Sequence, residues 1–403
     1  MKLLLALLPA LLCAQDFTQR GFLETSTQIY PQSAPNDSSH ITDESLFRYE
    51  AFYKLIPNLR FAGAFDARMD THQQTDRDFT LSFWDRERLR PAFEIRRLSA
   101  TYTRGKLTVE AGKQFIRWGK TDVLNPTDRF APRDFVNVVD NDFLGITAAR
   151  VTYGDQSNTI DVVFAPRLTP SRVPLLNQRW AVLPAGIPIV EQAPDFPGGP
   201  QVGARWNHIG RAAEFSLSFY NGYDHLPLYR GQLQLTSLGF EAEARRYYPQ
   251  MRMYGADAAV PLPFVTLKAE TAYFTSTTPQ SDEYALYVLQ LERQTGEWSF
   301  VGGYAGQAIT QHGTALSFSP VRGSTRAFVG RAGYTLDVNR SVALETVTRQ
   351  NGQGAYVKPE YTQAFGQHWR VTAGFVVIRG ADGDFLGQYH RNSHGILTIR
   401  YSF

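Results

Sequence analysis

Apolar and polar residues alternate with a period of two along most of this chain. Such alternation marks a β-strand whose two faces meet different surroundings. Between Leu46 and Leu55, one face carries Phe47, Tyr49, Ala51, Tyr53 and Leu55, and the other carries Arg48, Glu50 and Lys54. Next, Leu59, Phe61, Gly63, Phe65 and Ala67 oppose Arg60, Asp66 and Arg68. The pattern recurs from Ile160 to Phe164, Ala213 to Phe219, Val265 to Tyr273, Val342 to Thr346 and Trp369 to Val377. It predicts eighteen strands, near 17–30, 45–55, 58–69, 93–103, 107–117, 144–154, 158–166, 200–208, 212–221, 250–260, 264–274, 283–293, 297–306, 327–336, 341–349, 355–364, 369–379 and 393–403.

A soluble sandwich could also hold alternating strands, with its charges facing water. Length argues for a membrane barrel: many segments alternate over about ten residues, as a tilted bilayer crossing needs, against a globular mode of about 5–6. The connections also alternate. Short turns fall at Ile56-Pro57, Arg104-Gly105-Lys106, Asp155-Gln156-Ser157, Pro261-Leu262-Pro263, Gln294-Thr295-Gly296 and from Asp337 to Arg340. Long loops run from Pro31 to Glu44, Asp70 to Ala92, Trp118 to Phe143, Arg167 to Gly199, Gly222 to Pro249 and Gln307 to Arg326. An up-and-down barrel with tight periplasmic turns and long extracellular loops has this order. The expected fold is therefore an all-β transmembrane antiparallel barrel of about 18 strands, within a range of about 14–18.

Composition narrows the choice. A single apolar stretch, residues 3–12, follows Lys2 and ends at Cys13-Ala14-Gln15-Asp16. This reads as a secretory leader at 1–14, cleaved after Ala14, which sends the chain out of the cytoplasm. No run of about 20 apolar residues exists, so a helical membrane protein is excluded. The one Cys lies in that leader, which excludes a disulfide scaffold and a Cys-built metal site. With 41 Lys and Arg against 38 Asp and Glu, no nucleic-acid footprint is visible.

In hydrocarbon every backbone polar group needs an internal partner, so strands that cross must close into a barrel. About eighteen of them enclose a lumen too wide for side chains to fill. The inward face should then line water with Arg48, Glu50, Arg60, Asp66, Arg68, Glu110, Arg205, Asp257, Lys268, Glu270, Arg331, Glu345 and Arg349. Ionised groups persist there only in water or in pairs. Arg117, Lys120, Asp122, Asp128, Arg129, Arg133 and Asp134 crowd one 18-residue stretch. Folded inward, they are candidates for a constriction that orients a charged or polyhydroxylated solute; the alternative is a salt-bridged loop that braces or plugs the barrel. The loops 118–143 and 167–199 are the candidates for entering the lumen; the second is Pro-rich and apolar, with Trp180 and Pro184. A surface coil would have the same composition. The last strand places Gly395, Leu397, Ile399, Tyr401 and the terminal Phe403 on one face. Tyr401 and Phe403 form the expected signal to the barrel-insertion machinery.

The stretch Ala111-Gly112-Lys113-Gln114, Trp118-Gly119, Asn125-Pro126-Thr127-Asp128 and Ala131-Pro132-Arg133-Asp134 resembles a group of bacterial outer-membrane porins of the alginate-export-like type. Pro166 to Pro174 and Tyr220-Asn221-Gly222-Tyr223-Asp224 look similar as well. The resemblance implies a Gram-negative outer-membrane channel of about 18 strands, with lipid and a small-molecule solute as its partners. The mixed inward charges here depart from the strongly basic lumen of an alginate exporter. The second reading is a plugged structural or receptor barrel that binds a partner through its loops. Oligomeric state is not legible.

Barrel enzymes need specific groups. A phospholipase needs Ser and His two residues apart on an outward face; none of the eight His satisfies this. His390 and His394 are four apart, a spacing that converges on a helix but not along a strand. No phosphate-binding Gly loop occurs. The expectation is a non-enzyme without cofactor or metal.

Overall fold

The computed structural model describes residues 16–183, 188–236 and 239–403. The expected leader at 1–14 and Pro184 lie outside the described residues. Eighteen strands form one closed antiparallel barrel. They are β1 (Phe17–Ile29), β2 (Ile41–Ile56), β3 (Leu59–Asp70), β4 (Phe93–Arg104), β5 (Leu107–Gln114) and β6 (Ile146–Gly154). β7 (Asn158–Ala165), β8 (Gln201–Ile209), β9 (Glu214–Tyr223), β10 (Gln250–Pro261), β11 (Thr266–Thr275) and β12 (Glu283–Thr295) follow. The circuit ends with β13 (Trp298–Gln311), β14 (Ala327–Asp337), β15 (Arg340–Arg349), β16 (Gly354–Phe365), β17 (Trp369–Gly380) and β18 (His394–Ser402). Each strand pairs with its neighbour in sequence, and β18 closes on β1 from Phe22 opposite Ser402 to Ile29 opposite Gly395. All eighteen predicted strands are present, because the period-two pattern survives wherever one face is apolar and the other polar.

The outward face is apolar and uncovered. Leu289, Leu344, Phe328 and Phe375 point away from the lumen and are exposed. At the turn end aromatic rings gather in pairs, Trp298 with Tyr334 at 4.6 Å, Trp369 with Tyr401 at 5.0 Å and Trp206 with Phe215 at 5.4 Å. An apolar band edged by aromatic girdles is the surface a bilayer covers. The chain end completes the seam: Gly21 N–H donates to Phe403 O and Phe403 N–H to Gly21 O, both at 3.0 Å. The Phe403 ring then lies where a Cβ on residue 21 would sit, within 2.6 Å, so only glycine fits there.

The turns at 57–58, 105–106, 155–157, 210–213, 262–265, 296–297, 338–339 and 366–368 are short and share one end. Nine loops share the other: L1 (30–40), L2 (71–92), L3 (115–145), L4 (166–200), L5 (224–249), L6 (276–282), L7 (312–326), L8 (350–353) and L9 (381–393). Two loop regions differ from the expectation. The segment expected as a loop from Gly222 to Pro249 contains a hairpin, Leu228–Thr236 with Gly239–Tyr247. The Pro-rich L4 contributes Ile189–Asp195, which adds in parallel to that hairpin. These strands form a small sheet separate from the barrel, so they lie outside the long–short order of the wall. The first loop is also shorter than expected, since β2 starts at Ile41.

Candidate functional site

L3 is held across the lumen by inward side chains on distant strands. Glu270 on β11, 2% exposed, accepts from Thr127 N at 2.8 Å, Lys120 N at 3.0 Å and Thr121 N at 3.2 Å. It also accepts from the hydroxyls of Thr121 and Thr127, each at 2.8 Å. Gln290 on β12 accepts from Asp122 N at 2.8 Å and donates to the Asp122 carboxylate at 2.8 Å. Lys120 reaches Glu214 at 3.2 Å and Asp257 at 3.5 Å. Asp128 caps the backbone amides of Trp118 and Gly119 at 2.5 and 2.7 Å. An apolar cluster of Ile116, Trp118, Phe130, Val163, Tyr220, Met253 and Phe274 fills the space between L3 and this wall. At the level of this cluster that side of the lumen is filled by packed side chains.

On the opposite flank L3 is braced by ion pairs. Asp134 accepts from Arg90 at 2.8 Å and pairs with Arg172 of L4 at 3.2 Å. Arg172 reaches Asp85 of L2 at 3.0 Å, and Asp85 meets Lys113 at 2.6 Å, with Glu94 3.7 Å from Lys113. Arg90 also holds Glu44 at 2.9 Å, Glu44 holds Arg68 at 2.6 Å, and Arg48 clasps Asp66 with two bonds of 2.7 Å. Arg96 joins Asp142 at 2.9 Å. The network matches six basic with six acidic side chains, so its most buried charges have opposite partners at hand. Burial alone would raise the Asp134 carboxyl, but Arg90 and Arg172 outweigh it and hold it far below the usual carboxylate range. A depressed native pKa leaves the brace intact above the unfolded value near 3.9 and releases it only as pH falls well below that. Protection of L3 by the Asp134 brace, read by limited proteolysis, is expected to persist from about pH 8 to about pH 4. Loss of that protection near neutrality would contradict the brace.

What remains open is a passage along β12–β18 and β1–β3. On the loop side a cavity of about 400 Å³ has the apolar Val329, Val347, Tyr356 and Ile378 on the barrel wall and Arg129 and Arg133 on L3. A second, of about 490 Å³, continues toward the turn end, lined by Asp140, Asp142, Lys358, Glu360, Arg370 and Arg400. Asn141 lines both and accepts from Arg133 Nη1 at 2.8 Å. The guanidinium groups of Arg117 and Arg133 rest on the Phe143 ring at 4.3 and 4.1 Å, which fixes the L3 tip. L4 crosses the mouth to L9: Trp180 packs against Tyr389 at 5.5 Å, and Arg179 O accepts from Asn392 Nδ2 at 2.9 Å. L5 ties in through His225, whose ring nitrogens lie at the carbonyls of Thr169 and Arg129.

The residues singled out from sequence separate accordingly. Arg129 and Arg133 line the loop-side cavity, and so do Asp122 and Asp128, which are bonded into L3's attachments. Arg117 and Lys120 lie toward the turn end beside Arg205. Asp134 is buried in the brace. Among the inward wall residues, Arg60 and Arg331 are exposed in the lumen and Glu345 lines the loop-side cavity. Glu50 pairs with Arg20, Glu110 with Arg97, and Lys268 with Asp122 and Glu292. Arg205 pairs with Asp257, and Arg349 is tied to Asp384. Asp66, Asp257 and Glu270 point inward but are sealed beneath the loops rather than bathed by the lumen. The sequence reading missed Asp140, Asn141, Asp142, Lys358 and Glu360, which surround the narrowing. Lys358 and Glu360 were legible as alternate polar positions in the sixteenth strand; the L3 tip carries no such signal. Among the described residues, no three His, Cys, Asp or Glu side chains cluster tightly enough for a metal ion.

Solved structures share this architecture. Acinetobacter baumannii OccAB4 matches with a TM-score of 0.55 at 10% identity, over 96% of this chain and 98% of that one. The outer-membrane protein opdK of Pseudomonas aeruginosa gives 0.57 at 9% identity, over 96% and 99%. A BenF-like porin from Pseudomonas fluorescens Pf-5 gives 0.56 at 10% identity, over 96% and 98%. The fold is that of outer-membrane porins. No protein-family model matches the chain, and no curated protein sequence matches it.

Proposed function

We propose that this protein is a channel of the bacterial outer membrane, passing small polar or charged solutes by passive or substrate-selective diffusion. One observation carries the reading: a sealed barrel with an apolar exterior holds two neighbouring cavities that share Asn141 of an inward-folded loop. Charges of both signs face each other there, Asp140 and Asp142 from L3 against Lys358 and Arg370 from the wall. Such a site orients a solute by field and hydrogen bonds without holding it tightly. Steady conductance steps in planar bilayers test it, and a silent barrel would refute it. Neutralising Asp140 and Asp142 together as Asn is expected to shift reversal potentials toward anion preference, and Lys358→Gln to shift them the other way.

The export route belongs to the same proposal. A leader at 1–14 would deliver the chain to the periplasm, and the C-terminal Tyr401 and Phe403 would present it to the insertion machinery. The paired bonds between Phe403 and Gly21 support a role for the last residue in closing the seam. Deleting Phe403 is expected to cut the yield of heat-modifiable barrel several-fold, read on unheated gels. The alginate-export-like relationship rests on the sequence motifs between Ala111 and Asp134, Pro166 and Pro174, and Tyr220 and Asp224; the solved neighbours bear Occ, opd and BenF-like names.

A further inference from the structure

The barrel wall is incomplete beside β4, and an extracellular loop fills the gap. β5 pairs with β4 only from Leu98 to Arg104. The upper part of β4, from Phe93, has no β5 residue beside it. There L2 lays down a two-residue parallel strand, with Leu81 beside Phe93 and Ser82 beside Glu94. Residues side by side in a sheet point the same way. Phe93 lies opposite Ala67, an outward residue of β3, so Leu81 faces outward. Ser82 faces inward with Glu94, and both are buried.

This patch sits within the height of the wall. Ala67 is three residues short of the end of β3 at Asp70, which at the usual rise places it about 10 Å below the rim. Phe79 precedes the strand and turns its ring onto Phe93 at 5.9 Å, while Phe93 stacks on the outward Phe65 at 6.0 Å. Phe79 holds a positive φ of 51°, a conformation bulky residues rarely adopt. Its ring is nevertheless 70% exposed, as is Leu81 at 61% and Met69 at 69%. Uncovered apolar side chains of this size in water are costly. They are continuous with the apolar belt of the barrel.

We propose that the Phe79–Leu81 segment of L2 is a membrane-embedded part of the wall that contacts lipid acyl chains of the outer leaflet. This rests on the transmembrane reading of the barrel and goes beyond it, because a loop replaces a strand in the lipid-facing surface. The inner side of the same segment leads through Asp85 to Arg172 and Asp134. Lipid packing on Phe79 and Leu81 therefore bears on the brace that positions L3.

The test uses nitroxide labels on full-length protein in a Cys13→Ser background, reconstituted in phospholipid bilayers. Phe79→Cys and Leu81→Cys are compared with Leu344→Cys on the belt and Val338→Cys in an exposed turn. Accessibility to oxygen relative to a water-soluble nickel chelate is read at each site. The ratio at 79 and 81 is expected to match that at 344 and to exceed that at 338 several-fold. A ratio equal to that at 338 overturns the inference. Protection from both reagents also overturns it, since it would mean that a protein copy covers the patch. An aqueous reading at 344 itself would overturn the transmembrane reading, and this inference with it.

Discussion

Replacing Glu270 with alanine is expected to turn a steady channel into a noisy one with several conductance levels. The carboxylate accepts five bonds from L3, two from hydroxyls and three from backbone amides. Thr121 and Thr127 are buried at the root of the loop, beside the apolar cluster. Each buried donor left without a partner costs about 1–3 kcal/mol, so the three backbone amides alone would cost the anchoring of 120–127 on the order of 3–9 kcal/mol. The barrel seam does not involve Glu270, so heat-modifiability should persist while current fluctuations rise. Glu270→Gln keeps one acceptor oxygen and should fall between the two. An E270A channel as quiet as the parent would rule out the anchor.

Arg172→Ala is expected to loosen L2, L3 and L4 together. Among the described residues, Arg172 is the one cation paired with both Asp85 and Asp134, and all three side chains are buried. Breaking a buried pair by removing one partner costs about 3–5 kcal/mol, because the remaining charges stay uncompensated. Limited proteolysis of the reconstituted protein should cut these loops at least several times faster, with the barrel intact. Arg211→Ala, in an exposed turn, serves as the control and should leave the rate unchanged. Equal cleavage rates in the two variants would mean the network contributes nothing to loop order. The two substitutions act on opposite flanks of L3, so their effects on noise should combine nearly additively.

The strands themselves were legible because a barrel strand separates two solvents, lipid and water, and the side-chain period of two writes that separation into the sequence. Phe47 and Arg48, or Leu344 and Glu345, reveal the wall without any knowledge of the fold. The turn spacing supplied the up-and-down order. Where L3 covers the wall the code weakens: Val163, Met251, Met253 and Leu286 face inward yet are apolar, since they meet a loop instead of water. The same covering decides which inward charges serve the passage. Asp66, Asp257 and Glu270 read like lumen residues in the sequence, but L3 and its neighbours bury them. Asp134 and Arg133 are adjacent in the chain, and one ends in the brace while the other lines the cavity. Sequence alone determined the barrel, its inside and its outside. Only the tertiary structure decided where the passage runs, because L2, L3 and L4 meet through pairs such as Arg90–Asp134 and Arg172–Asp85, whose members lie 44 and 87 positions apart.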